Sequence, residues 1–496
     1  MAKGNVTTPQ GSVKLQFNSK ILHALIGILI MFIIPVLPIP YPDGTVTEIG
    51  RKVLGVFVGT LYLWTTTDPL WCSIFSAIAL AFTGYLPMGG VLQQWFGNPT
   101  VVQMFFIMIV IACLGYEKIT AYIGRFFLTL KVNIGHPWIF TTMILLCCYL
   151  LSVFVGCFVP ILLFWPIMKG IYEDIGYTSD DKYPKLMTIL IVIAALIGFP
   201  VPPYMANGLA LLSNYRGIDP TVVINDGMYF ITCFTIGLIE LFAAILVTRF
   251  VLRPDVKNLQ NLTMEKLQRT ALPPMNLRQK IVFGTFCCYV LVMLVPSLLP
   301  GIPLMQFLNA NSLGLGALYL AVMGAIIMSD GRPLMDFTAS VQQGFAWPTF
   351  FICATAILLG SVLTSEATGV AALLGAVLSP IFQGMSPITF TIALLLVAFV
   401  LTNVCNSLVI GMLLQPIIFT YGNATGANVA PIVTMLIFFV LQSAVLTPAA
   451  SPFAAMMFSN KSLKSGDVYK YAAVYAAVEI VLVLGLGIPF SNLLMS

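Results

Sequence analysis

Charge is what this chain has least of. Asp, Glu, Lys and Arg make up 8% of its 496 residues and histidine occurs twice, where a soluble domain carries about 25% charged residues. With 59% apolar residues, a chain this long cannot cover itself with polar surface, which excludes a water-soluble globular protein. Its solvent is lipid. Only α-helices and closed barrels satisfy their backbone in hydrocarbon. The short alternating segments of about ten residues that build a barrel are missing. The apolar runs are long and continuous, so the expected class is an all-α polytopic membrane protein.

Ionisable clusters are missing as well. An intramembrane enzyme needs a Ser–His pair, paired aspartates or a set of metal-binding histidines at membrane depth. His23 and His136 each stand at the start of an apolar run with no such cluster beside them. The ten cysteines, among them the neighbours Cys147 and Cys148 and the neighbours Cys287 and Cys288, lie in or at the ends of apolar segments. None has a metal-ligand spacing with histidine. The chain is therefore read as not an enzyme, with no catalytic residue, no metal site and no bound cofactor.

The charge that is present is placed unevenly. From Arg253 to Lys280 the chain carries Arg253, Lys257, Lys266, Arg269, Arg278 and Lys280 against Asp255 and Glu265. By the positive-inside rule this linker is cytoplasmic. Residues 1–20 hold Lys3, Lys14 and Lys20 and no acid, so the N-terminal tail is expected there too. The loop from Tyr41 to Gly50 has Asp43 and Glu48 and no base, as an outside loop should. A basic patch for nucleic acid is the rival reading, but one flanked by spans faces lipid headgroups, and no nucleic-acid partner is expected. The first apolar run is too long for a secretory signal and is read as a retained span in the cell membrane.

Runs long enough to cross about 30 Å of hydrocarbon begin at Ile21, Val53, Leu70, Val101, Pro137, Leu186 and Met228. They resume at Ile281, Leu313, Thr349, Ile388, Ala430 and Val468. Four are interrupted: at Gly156 to Pro160, at Gly198 to Pro203, at Thr402 to Ser407 and at Thr447 to Pro452. Broken helices at membrane depth persist only where protein or a cavity satisfies the freed backbone.

The interruptions recur. Phe105-Phe106-Ile107 with Leu114-Gly115 returns as Phe350-Phe351-Ile352 with Leu359-Gly360, Pro166-Ile167 as Pro416-Ile417, and Pro200 as Pro448. The last span of each half begins with an aspartate, Asp226 or Asp467, and carries a mid-span glutamate, Glu240 or Glu479. Repeats of this kind, each with two interrupted helices, mark secondary transporters. The expected organisation is a leading span plus first repeat over residues 21–251, the linker 252–280 and a second repeat over 281–496. With an odd number of crossings in each half the repeats are inverted, and the C-terminus lies outside.

In such folds the substrate sits near the midplane between the breaks. Half-helix N-termini, each worth about half a positive charge, face an anion, and freed carbonyls hold a coupling cation. None of the four breaks contains Lys or Arg. Candidate substrate contacts are Gly156, Cys157, Pro200, Pro202, Thr402, Asn403, Asn406, Ser407, Thr447 and Pro448. A charge at mid-helix costs about 2.5–3.5 kcal/mol on insertion scales, so Glu240 and Glu479 need a reason. They are candidates for proton coupling, or for a protonated carboxyl packed against a neighbouring hydroxyl.

Leu114-Gly115-Tyr116-Glu117 with Gly124-Arg125-Phe126, and Thr447-Pro448-Ala449-Ala450 with Leu463-Lys464-Ser465-Gly466-Asp467, resemble the divalent-anion/sodium symporter family. The likeness is to its bacterial citrate/succinate and tartrate/succinate branch. The resemblance implies about eleven transmembrane helices with two re-entrant hairpins and interrupted helices, a homodimer, and di- or tricarboxylates moved by an elevator motion with sodium symport or by exchange. It makes Ser152, Gly198, Asn403 and Ala449 candidates for holding a sodium ion. The family marks each hairpin tip with Ser-Asn-Thr. Here Thr402-Asn403-Val404 or Asn406-Ser407 comes near that in the second half, while Gly156-Cys157-Phe158 in the first has no Asn and no hydroxyl. A different anion, sulfate or a less polar organic acid, is an alternative, with Phe158 and Phe199 suiting the less polar one, and an anion channel is a further one.

Overall fold

The computed structural model describes residues 19–38, 45–268, 274–328, 330–370, 372–373, 384–404, 406–448 and 450–495. Ahead of the linker come α1 (Ser19–Ile33), α2 (Glu48–Thr66), α3 (Pro69–Ala81), α4 (Met88–Phe96), α5 (Pro99–Tyr116), α6 (Ile119–Leu128), α7 (Pro137–Phe154), α8 (Phe158–Ile175), α9 (Lys182–Gly198), α10 (Ala206–Ile218) and α11 (Asp226–Val247). After the short α12 (Met264–Gln268) come α13 (Leu277–Leu298), α14 (Pro303–Ala310), α15 (Ser312–Ala325), α16 (Phe337–Gly344), α17 (Trp347–Thr364), α18 (Pro387–Thr402), α19 (Ser407–Thr425), α20 (Ala430–Gln442), α21 (Pro452–Ser459), α22 (Ser465–Leu482) and α23 (Ile488–Met495). Helix starts are written in the sequence. Pro stands in the first turn of α3, α5, α7, α18 and α21, where its missing N–H costs nothing. Asp68, Asn98, Asn225 and Ser386 cap their helices through side-chain oxygens, and Asn276 with Gln279 closes a capping box on α13, each satisfying a donor the helix leaves free.

Short elements unseen in the hydropathy runs complete the repeat. The helices α4 and α16, each ahead of an 18-residue helix with Pro in its first turn, stand at matching places. Both α8 and α19 carry an internal proline, Pro166 and Pro416. Both α11 and α22 loosen into a π turn, Thr248–Leu252 and Val483–Gly487. Counted through those turns, the helices Asp226–Leu252 and Ser465–Met495 have 27 and 31 residues, about 40 and 46 Å at 1.5 Å per residue, ample for a bilayer.

The two hairpins open on opposite faces. At the open end of the first, Thr141 of α7 pairs with Tyr183 at 2.8 Å, and the ring of Tyr172 in α8 lies 6.0 Å from that of Tyr183. Tyr177 donates to the carbonyl of Asp255 at 2.8 Å, and Lys182 donates to that of Leu252. Both arms of the first hairpin thus begin and end beside the basic linker, which defines a re-entrant segment. Lys185 reaches Asp467 at 3.3 Å, so α22 starts on that same face and runs away from it. The open end of the second hairpin lies at the far end of α22. Tyr421 stacks on Phe390 at 3.8 Å, and Asn428 donates to the carbonyl of Met495 at 2.7 Å.

At the centre stand α9 and α20, the first halves of the two broken helices. Every residue of α20 is buried, and so is nearly every residue of α9. Helices apolar on all sides are the ones a protein encloses.

Candidate functional site

The two hairpin tips meet in mid-molecule and frame a cavity of about 220 Å³. The first tip supplies Gly156, Cys157 and Phe158, and the second Asn406 and Ser407. The broken helices add Phe199, Ala206 and Asn207 on one side and Ser451, Pro452 and Phe453 on the other. Met108 and Ile111 of α5 and Thr349 and Cys353 of α17 close the remaining wall. Among the described residues, no Lys, Arg, Asp or Glu lines it.

Four helices start at this cavity, and their capping differs between repeats. In the second, Asn406 accepts from the Leu408 amide at 3.0 Å and Ser451 from the Ala454 amide at 3.1 Å. In the first, neither α8 after Cys157 nor α10 after Met205 has a side-chain cap. First-turn amides of a helix have no partner within it, so the first repeat, the poorer one in polar side chains, is the one that leaves backbone donors for an anion. Gly156 turns the first tip with φ +119, a backbone conformation that suits glycine.

The walls are aromatic. The ring of Phe453 lies 4.6 Å from that of Phe158 and 5.2 Å from that of Phe199. Asn207 accepts a weak hydrogen bond from the Cys353 thiol at 3.3 Å.

The other candidates lie behind the cavity wall. Thr402 donates to the carbonyl of Val440 at 3.2 Å. Asn403 donates to the carbonyls of Phe399 at 2.9 Å and Ser443 at 3.0 Å, and accepts from the amides of Val445 at 3.2 Å and Leu446 at 2.8 Å. Thr447 donates to the Asn403 carbonyl at 2.6 Å. These contacts fasten the second tip to the break in its neighbouring helix. Pro448 is exposed, and Ala449 lies outside the described residues. In the first repeat Ser152 donates to the Ala195 carbonyl at 2.5 Å, the counterpart of Thr402 on Val440. Gly198 packs so closely that a Cβ there would sit 2.6 Å from the Tyr149 carbonyl oxygen. Pro200 and Pro202 are buried, and the Pro200 carbonyl accepts from the Tyr229 hydroxyl at 2.7 Å. The first break is therefore closed by hydroxyl groups of the protein itself. Sequence reading missed Asn207 and Phe453, although each follows within a few residues of a recognised break.

Glu240 and Glu479 are buried away from the cavity on α11 and α22, helices that pack together through Thr248 and Tyr475. Gln442, the last residue of α20, donates to Glu240 at 3.3 Å.

The description "sodium:sulfate symporter transmembrane region" matches residues 19–496. The chain belongs to this family. It is a multi-pass membrane protein of a family of secondary anion transporters, which is the family the two motif pairs resemble. The YdaH transporter of Alcanivorax borkumensis, whose crystal structure is described as having an unusual topology, is similar over 96% of this chain and 97% of its own. Identity is 12% and the TM-score 0.51, a likeness of fold. Among curated proteins none matches the sequence.

Proposed function

We propose that the protein moves a small organic anion through the bilayer by an elevator motion, with the anion carried between the two hairpin tips. The observation behind this reading is the cavity itself. One side is built by both tips and both breaks, the other by α5 and α17, so a body made of hairpins and broken helices faces a separate wall against which it can slide. An acid group would be held by the uncapped N-terminal amides of α8 and α10, whose ends each carry about half a positive charge.

Di- or tricarboxylates are the first substrate class, on the strength of the family resemblance. The rings of Phe158, Phe199 and Phe453 favour a second reading, an organic acid with an apolar body, over sulfate. Coupling would be by sodium, held in the second repeat where the Ser443 hydroxyl has no partner, or by exchange of one anion for another. A two-fold dimer would give the elevator a stationary frame, with the N-terminus and linker cytoplasmic and the C-terminus outside.

Uptake of labelled succinate, citrate and benzoate into proteoliposomes tests this, with an inward sodium gradient or with unlabelled anion preloaded. Gradient-driven uptake supports symport, and uptake only on preloading supports exchange. Benzoate outcompeting succinate supports the apolar-body reading. No uptake of any of the three by folded protein sinks the organic-anion assignment.

A further inference from the structure

Two carboxyl groups lie buried where a bilayer is driest. Glu240 stands one residue past the middle of the apolar helix Asp226–Leu252, and Glu479 one residue before the middle of Ser465–Met495. They are 2% and 8% exposed. The helices that carry them pack side by side, with Tyr475 paired to Thr248 at 2.8 Å and the two carboxyls as electrostatic neighbours further along. Tyr475 precedes Glu479 while Thr248 follows Glu240, so the helices run antiparallel, and the two glutamates fall within about one turn of each other along them.

Among the described residues the surroundings hold no counter-ion. Lys182 and Lys185 at the start of α9 are engaged by the Leu252 carbonyl and by Asp180 and Asp467. Arg278 at the start of α13 is engaged by Asp330, and Lys280 beside it is exposed; α20 and α23 have no charged residue. On α22, Asp467 and Lys470 lie in the first turns, far from Glu479. The other titratable groups interacting with Glu240 are Tyr149 of α7, which donates to the Phe234 carbonyl at 2.8 Å, and Cys233 of α11. Three oxygens at the cluster, Glu240 Oε2, Glu479 Oε1 and Gln442 Oε1, have no protein partner. Adjacent carboxylates in a dry site cannot both stay ionised without a cation or a proton.

We propose that Glu240 and Glu479 form one site that binds a single shared proton, and that Gln442 reports its occupancy to the second hairpin tip. An ionised pair can use only the Gln442 amide N–H, whereas a protonated carboxyl can also donate to the partnerless Gln442 Oε1. Gln442 ends α20, and the carbonyl of the next residue, Ser443, accepts from Asn403 at the tip at 3.0 Å. Loading or releasing the proton thus acts on the segment that fastens the tip. The role rests on the transport reading, and the test separates the two.

Infrared spectra of the full-length protein in liposomes should show a protonated-carboxyl band in sodium-free buffer that disappears as the pH is raised. The double variant Glu240→Gln/Glu479→Gln should lack it, and Glu479→Asp, which keeps an acid, should retain it at a shifted frequency. A band absent from the wild type, unchanged in the double variant or abolished by sodium at constant pH overturns the proposal. In proteoliposomes a pH gradient should increase net uptake of labelled succinate or benzoate. Each single Gln variant should keep counterflow exchange and lose that increase; a variant that keeps the increase overturns the proposal. Absence of counterflow in the wild type sinks the transport reading, while the infrared titration still decides the site.

Discussion

The ring of Phe158 lies 4.6 Å from the ring of Phe453, and this contact joins the two repeats across the cavity. Phe158 is the first residue of α8 and Phe453 the second of α21, so each ring sits at a helix start where an anion would be received. Aromatic pairs in tilted or edge-to-face contact contribute about 0.5–1.5 kcal/mol beyond the area they bury. Phe453→Ala removes that contact and the one to Phe199. For benzoate the Michaelis constant is expected to rise about 3- to 10-fold, with a smaller change for succinate. Initial-rate uptake over a range of each anion measures it, and an equal rise for both would remove the aromatic wall as a selectivity element.

Much of this architecture can be read from the chain, because the breaks are written in residues that cannot continue a helix. Pro200 and Pro448, Pro166 and Pro416, and the repeated Phe-Phe-Ile sequences set the period, and the structure keeps it. The site itself is harder to read. Asn403 looks the same in sequence whether its amide faces a ligand or a backbone, and folding turns it onto Phe399, Ser443, Val445 and Leu446. Gln442 ends an apolar run and gives no sign that it will meet Glu240, about two hundred residues earlier in the chain. Non-local pairing of this kind leaves no local pattern.

Asp330 gives a pH-dependent contact outside the membrane-spanning segments. The Arg332 amide and then the Arg278 guanidinium hold its carboxyl below the ordinary value of 3.8. A depressed carboxylate contributes stability that is present above the unfolded value and lost as pH falls through the folded one, here below about pH 4. Asp330→Asn should loosen the loop ahead of α16 at neutral pH, with the difference from wild type closing in acid and shrinking in high salt. Hydrogen exchange of the loop amides checks both trends.

Two glycines should respond differently to alanine. At Gly198 a Cβ would lie 2.6 Å from the Tyr149 carbonyl oxygen and 3.0 Å from Ser152 Cβ, so α7 and α9 must separate. Overpacking of that kind costs about 1–3 kcal/mol, and it would also stretch the Ser152–Ala195 hydrogen bond. At Gly156 nothing lies within 4 Å of the added atom, but φ is +119, and the cost is backbone strain of about 1–3 kcal/mol. Thermal unfolding in detergent should fall for both. Measured in a Ser152→Gly background, which removes the crowding Cβ, the Gly198→Ala loss should shrink in part and the Gly156→Ala loss should not.

Asn403 carries more of the second tip than any hydroxyl there. Its side chain makes four hydrogen bonds to backbone, two as donor and two as acceptor, and the Val445 amide is buried. Asn403→Ala leaves the Leu446 amide without its acceptor and the Val445 amide with only the Ser443 carbonyl, at 3.0 Å, so a loss of about 1–3 kcal/mol is expected. Thr402→Val gives up a single bond of 3.2 Å to Val440 and should cost about 1 kcal/mol. Asn403→Asp keeps both acceptor bonds but sets its second carboxyl oxygen against the Phe399 and Ser443 carbonyl oxygens, which the amide meets at 2.9 and 3.0 Å, so it should be destabilising as well. Both Asn403 variants should open first at the tip, and Thr402→Val should not. Hydrogen exchange resolved to the segment 443–448 distinguishes them, and equal protection in wild type and Asn403→Ala would mean that the break is held by other contacts.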